Sequence, residues 1–219
     1  MAMNHFKSRR HFFEELANSL THGAGLIASI IATVFLVMIA NGQNDAGKII
    51  VGTIYGSSLI LLYGASTLYH SFQSPKAKHY LKIFDHAAIY ILIAGSYTPF
   101  TLYAVKGFWG EVMLYLIWTI AILGVVFKLF FVNRFKYFST ALYLGMGWLA
   151  LFAIQPLFEN LPFHGLFLLV AGGLSYSLGV IFFLWEKLPF SHAIWHLFVL
   201  GGSTCHFFAI LLYVLPMKG

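Results

Sequence analysis

Ser19-Leu-Thr-His-Gly-Ala-Gly-Leu-Ile-Ala-Ser-Ile-Ile-Ala-Thr-Val-Phe-Leu-Val-Met-Ile-Ala40 runs for 22 residues without one Asp, Glu, Lys or Arg. A helix rises about 1.5 Å per residue, so roughly 20 such residues cross the ~30 Å hydrocarbon core of a bilayer. The run is too long for the apolar region of a signal peptide, and no cleavable leader is expected. It is also too continuous for a barrel strand, which would alternate apolar and polar positions. Six further long apolar runs follow, at about 49–71, 83–105, 111–132, 137–156, 164–185 and 192–215. Between them lie turn-forming and polar stretches such as Asn41-Gly42-Gln43-Asn44-Asp45, Gln73-Ser74-Pro75-Lys76 and Lys187-Leu188-Pro189. The expected fold is an all-α integral membrane protein, a bundle of seven transmembrane helices. Residues 1–18 read as a basic, amphipathic cytoplasmic segment and residues 19–219 as the membrane domain.

The composition of the whole chain agrees. Of 219 residues, 60% are hydrophobic and 9% charged, where a soluble domain carries roughly 25% charge. That excludes a soluble enzyme, a disordered tail and a nucleic-acid module. The net charge of +6 is then a matter of membrane topology. With the N-terminus inside, Lys7, Arg9, Arg10, Lys76, Lys78, Lys82, Lys128, Arg134, Lys136 and Lys187 share the cytoplasmic side. The other side keeps Lys48, Lys106 and Lys218. The asymmetry places the N-terminus in the cytoplasm and the C-terminus outside, inverted relative to G-protein-coupled receptors. The one cysteine, Cys205, excludes an intramolecular disulfide and any CxxC motif.

Ionisable residues inside membrane spans are candidates for function. His70 and, one turn deeper, Ser66 fall at the cytoplasmic end of the second span. Asp85 opens the third, and His192 and His196 open the seventh. Glu15, Asn18 and His22 lead into the first span on one helical face. His192-Ala-Ile-Trp-His196 stacks two imidazoles one turn apart, where both can bind one metal. That spacing alone is equally that of two interfacial histidines reaching for headgroups. With His70 at the same depth, three histidines and an open fourth position describe a catalytic zinc site. Asp85 has two readings, a helix N-cap or a group holding the metal's water. Ser66 either bonds its own helix backbone or orients water or a carbonyl. Glu15, Asn18 and His22 cap or pack the first helix, or take part in the chemistry. His86, turned about 100° from Asp85, is expected to face elsewhere, and His206 lies too far from His196 to share an ion. Gly95, Gly145, Gly147, Gly172, Gly173, Gly201 and Gly202 are expected at close helix contacts, and Pro99 is expected to kink the third helix.

The ordered segments Ser66-Thr-Leu-Tyr-His70, Phe84-Asp85-His86, Gly95-Ser96-Tyr97-Thr98-Pro99-Phe100 and His192-Ala-Ile-Trp-His196 resemble the progestin and adiponectin-receptor superfamily. Within it, the bacterial hemolysin III branch is the nearest likeness, and Thr21-His22-Gly23 is similar to that branch too. The resemblance covers nearly the whole chain. It implies a zinc on the cytoplasmic side held by His70, His192 and His196, with Asp85 supporting the metal's water and Ser66 nearby. The wider group is similar to alkaline ceramidases. The resemblance therefore implies zinc-dependent hydrolysis of amide or ester bonds in membrane lipids, in the bacterial inner membrane. The other readings are a non-enzymatic regulator of membrane state with a structural zinc, a protein with hemolytic activity, and a transporter. A lytic protein ought to show a secretory signal and a soluble state, and a transporter broken helices with polar lining.

Overall fold

A computed structural model describes residues 2–217, with side chains from Arg9 to Met217. Lys218 and the side chain of Lys7, both counted above for topology, lie outside the described residues. Helices α1 (Ala2–Asn41), α2 (Ala46–Ser71), α3 (Pro75–Phe100) and α4 (Gly107–Phe131) are followed by α5 (Lys136–Trp148) and α6 (Ile154–Asn160). Helices α7 (Phe163–Leu184) and α8 (Ser191–Ala209) follow, and α8 runs on into a π-helical turn over Ile210–Val214. Seven spans are long and apolar enough to cross a membrane, α5 and α6 together forming the fifth.

Two helices begin well before their apolar runs. α1 is unbroken from Ala2, so the basic N-terminal residues continue the helix of the first span. α3 starts at Pro75, where a missing N–H costs nothing. Asp85 therefore sits in the interior of α3, and Ser74 takes the N-cap position. The capping explanation of Asp85 is thereby excluded.

The two helices with Pro inside them depart from α geometry. After Pro99, α3 loosens into a π-helical turn over Thr101–Val105. In the fifth span, Pro156 has no N–H for the carbonyl of Phe152, and its ring crowds that carbonyl. The chain tightens into a 3₁₀ stretch over Leu149–Ala153 just ahead of it. Tyr97 from α3 stitches this break. Its hydroxyl lies 2.8 Å from Met146 O and 2.9 Å from Gly147 O, and it accepts from Ala150 N–H at 2.8 Å.

In the third span 72% of the most apolar stretch is buried, against 17% in the fifth, so α3 is the central helix and the outer helices face lipid. Tyr55 and Tyr90 are fully buried along α2 and α3. Gly124 lets α4 lie against the Tyr90 ring, and Gly172 lets α7 lie against the His206 imidazole; a Cβ at either would strike the ring. Gly95 and Gly202 also sit at close contacts, but Gly145 and Gly147 face open space at the break in the fifth span.

Candidate metal centre

The ends of α2 and α4 and the starts of α3, α5 and α8 meet at one end of the bundle, beside the N-terminal half of α1. His70 comes from the last turn of α2. His192 and His196 come from the first turns of α8, which follows a tight turn with Phe190 in the left-handed region at φ 57°. One ligand atom from each of the three lies within 4.8 Å of the other two. His70 and His196 are buried and His192 is half-buried.

Helix α1 fixes the rings from behind. His70 Nδ1–H donates to Glu15 Oε1 at 3.3 Å. Glu15 Oε2 in turn pairs with Lys78 from α3. The Asn18 amide stands 3.4 Å from the same ring nitrogen. Its other end, Oδ1, is buried without a partner. Exchanging the two ends of the amide makes Asn18 a second acceptor for His70. His196 Nδ1–H points at Asn18 O, 3.2 Å away, and at Thr21 Oγ1, 3.1 Å away. The Thr21 hydroxyl proton already serves Ala17 O or Asn18 O, so its oxygen accepts.

These bonds select the tautomer. With Nδ1 carrying the proton, Nε2 presents its lone pair to the centre of the cluster, and His70 Nε2 is buried with no partner among the described residues. Metal-bound histidines characteristically donate their other N–H to a carboxylate or a carbonyl. Three imidazole nitrogens converging in this way can hold a metal ion. Imidazole also suits copper, iron and nickel, so the donor set by itself does not single out zinc.

A cavity of about 120 Å³ opens beside the cluster. Ser66, Asp85, His192 and His196 line it at the histidine cluster, and Ser96, Tyr176 and His206 line it farther along. Asp85 is buried and lies within electrostatic reach of His70. Ser66 Oγ is buried beside the Asp85 carboxylate, toward which its hydroxyl can donate. A second space of about 70 Å³ shares Ser96, Tyr97, Gly147, Trp148 and His206 with the first and continues among apolar groups such as Phe100, Met113 and Leu157.

The sequence-derived candidates His70, His192, His196, Asp85 and Ser66 thus gather at one place. His206 lines the far part of the cavity and lies outside the histidine cluster. His86 was expected to face elsewhere, yet it lines the same cavity. His22 stacks on His196, ring centroids 3.4 Å apart, and neither of its nitrogens has a partner among the described residues. Thr21 was not singled out for chemistry, although it follows Asn18 by three residues on one helical face.

Residues 10–207 match the family described as "Haemolysin-III related". The chain belongs to the haemolysin III family. It is 56% identical over 203 residues to "Hemolysin-3" of Bacillus cereus, covering 93% of each chain. It is 52% identical over 200 residues to the "Hemolysin-3 homolog" of Bacillus subtilis, covering 91% of this chain and 94% of the relative. A more distant relative is the "Monocyte to macrophage differentiation factor" of Homo sapiens, a protein of the progestin and adiponectin-receptor type. It is 31% identical over 208 residues, covering 92% of this chain and 85% of the relative. This haemolysin III chain is a multi-pass bacterial membrane protein, and all five candidate site residues fall inside the matched range.

Proposed function

We propose that this haemolysin III protein is a zinc-dependent hydrolase of amide or ester bonds in membrane lipids, with its histidine end at the cytoplasmic face. The observation that carries the proposal is the cavity. The histidine cluster borders an internal space that begins polar at Asp85 and Ser66 and continues apolar between α3, α5 and α7. A staple between helices needs no such space, whereas an acyl chain entering from the bilayer does.

Zinc held by His70, His192 and His196 would supply Lewis acidity and an activated water at neutral pH. Asp85, buried beside the ligands, takes the proton of the water as its oxygen adds to the substrate carbonyl carbon. It returns that proton to the departing nitrogen or oxygen as the C–N or C–O bond breaks. A carboxylic acid and an amine or alcohol result. Ser66, buried beside Asp85, turns its hydroxyl proton to the carbonyl oxygen. Glu15, Asn18 and Thr21 orient the imidazoles, and the apolar space excludes water around the acyl chain.

The test is lipid mass spectrometry on metal-loaded protein in bilayers, with metal analysis on the same samples. Free fatty acid should appear with zinc and not after chelation. His70→Ala should lose metal, whereas Asp85→Ala at saturating zinc should stay loaded and release no fatty acid. Full zinc occupancy in His70→Ala would remove the ligand assignment, and undiminished turnover in loaded Asp85→Ala would remove the proton acceptor. The second reading is a regulator whose zinc ties α1, α2 and α8 together, favoured by the bonds from α1 to His70 and His196. A loaded protein that releases no product from any amide or ester lipid would select it.

A further inference from the structure

His206 is a buried imidazole that the histidine cluster does not use. It follows His196 on α8 at a distance of about 15 Å along the helix, and 9% of its surface is exposed. Its ring stands where the two internal spaces join and lines both. Nε2 lies 3.2 Å from Leu169 O on α7. A carbonyl only accepts, so Nε2 carries the proton and Nδ1 keeps the lone pair. Nδ1 is buried and has no partner among the described residues. A buried acceptor without a donor is costly, and native structures carry few of them.

A donor borders the larger of these spaces. Tyr176 of α7 lines it, its ring set edge-to-face with that of His206, centroids 5.5 Å apart. The Tyr176 hydroxyl ends a chain of three. Tyr63 of α2 donates to Ser203 Oγ at 2.7 Å, and Ser203 Oγ lies 2.9 Å from Tyr176 Oη. With the Tyr63 proton already spent, Ser203 passes its own to Tyr176 Oη, and the Tyr176 proton is left for an occupant of the cavity. Two contacts hold the chain in place. Tyr55 donates to Ser203 O at 3.1 Å, and Gly202 leaves room for the Tyr176 ring, which a Cβ there would strike. A lone pair in want of a donor and a proton in want of an acceptor thus border one space.

We propose that His206 and Tyr176 form a hydroxyl-recognition subsite, which selects lipids whose acyl chain carries a hydroxyl group near its middle. A hydroxyl both donates and accepts. Its proton goes to His206 Nδ1, and its oxygen takes the Tyr176 proton. A ketone or an ether only accepts, and a methylene does neither, so each leaves a buried protein group unpaired. The spacing along α8 sets the position in the chain. A carbonyl at the histidine cluster lies about 15 Å from the subsite, so the carbons next to it stop short of His206. Beyond the subsite, Phe100, Met113 and Leu157 offer apolar surface to the end of the chain. The inference rests on the hydrolase reading for the bond that is cut, and it names the acyl half of the substrate.

The experiment uses the purified full chain, loaded with zinc in neutral detergent. Stearate, 12-hydroxystearate and 12-oxostearate each displace a fluorescent fatty acid, so binding is read independently of turnover. 12-Hydroxystearate should bind about ten-fold or more tightly than stearate. 12-Oxostearate should gain nothing over stearate, because its oxygen meets the Nδ1 lone pair. Tyr176→Phe keeps the ring and should weaken 12-hydroxystearate by about five-fold while leaving stearate unchanged. His206→Leu should abolish the preference, with zinc content as in the parent. If that variant does not fold, Tyr176→Phe carries the test, since Tyr63 and Ser203 stay bonded to each other. Equal affinity of the parent for stearate and 12-hydroxystearate would overturn the proposal, water then serving both groups. Equal weakening of the two acids by Tyr176→Phe would overturn it as well, being the mark of lost packing. 12-Oxostearate bound as tightly as 12-hydroxystearate would remove His206 as the acceptor, and the pairing with it. A clear preference in a protein that hydrolyses no lipid would support the subsite and remove the hydrolase reading alone.

Discussion

Glu15 tests whether α1 orients the histidines of the proposed metal centre or merely packs. Its Oε1 receives His70 Nδ1–H at 3.3 Å, and its Oε2 pairs with Lys78. Groups that orient metal-bound histidines typically tune affinity by about 10–100-fold, about 1.4–2.7 kcal/mol. Glu15→Gln keeps an acceptor but removes the charge, and a neutral bond is roughly half as strong as a charged one. At 3.3 Å the existing bond is also longer than the ~2.7–2.9 Å of an ideal charged pair. The expected loss for Glu15→Gln is therefore about 10-fold, at the lower end of that range. Glu15→Ala removes the acceptor altogether and leaves a buried imidazole N–H, so the expected loss approaches about 100-fold. Competition with a fluorescent zinc chelator on purified protein gives the ratio. Lys78→Met should leave affinity near the parent's, because the carboxylate then serves His70 alone. Glu159→Gln, at the other end of the bundle, should leave it unchanged. Parent-like affinity in Glu15→Ala would refute the reasoning and reduce α1 to a packing helix. The graded order parent, Gln, Ala distinguishes orientation of the ring from general loss of fold.

Tyr97→Phe removes one hydroxyl with three contacts at the break in the fifth span. One proton is shared between the two carbonyls and one bond is accepted, so at about 0.6 kcal/mol per interhelical bond in a membrane protein the loss should be about 1.2 kcal/mol. Tyr103→Phe loses one 3.3 Å bond to Asp45 and should cost under ~1 kcal/mol in the same unfolding titration. Equal effects of the two would show that the hydroxyl does not hold the break. For topology, single cysteines are placed in a Cys205→Ser background and labelled from outside. Positions near Asn44 and Glu159 should react and those near Lys78 and Arg134 should not. The reverse pattern would put the metal centre at the outer surface.

The number of spans was legible because continuous apolar length is a one-dimensional property and needs no knowledge of facing. Helix length was not. Lys76, Lys78 and Lys82 moved the expected start of the third span inward, since a charged residue ends an apolar run without ending a helix. The start signal was present in Ser74-Pro75, and giving it weight over hydropathy would have placed Asp85 in a helix interior. The fifth span shows the converse. Gly145 and Gly147 read as contact residues because small side chains are usual where helices touch. At these two positions the space is open, and the residue that disturbs the helix is Pro156 downstream.

The site divides along the same line. His70, His192, His196, Ser66 and Asp85 were legible because each is a polar group in or beside an apolar span, and lipid makes such a residue conspicuous. Thr21 and the carbonyl of Asn18 carry no such mark. A threonine bonding its own helix backbone is ordinary in a membrane span, and a backbone carbonyl has no sequence at all. Yet these groups decide which nitrogen of His196 is free, and Glu15 decides it for His70. Lys128 marks the limit from the other side. Beside Arg134 and Lys136 it counts towards the positive-inside total, where any lysine serves. What separates it from them is burial without an acid, and only the packing of α4 against α3 reveals that. A charge that topology alone explained would lie at the water surface; this one is packed where α4 meets α3, a placement that no count of charges along the sequence contains.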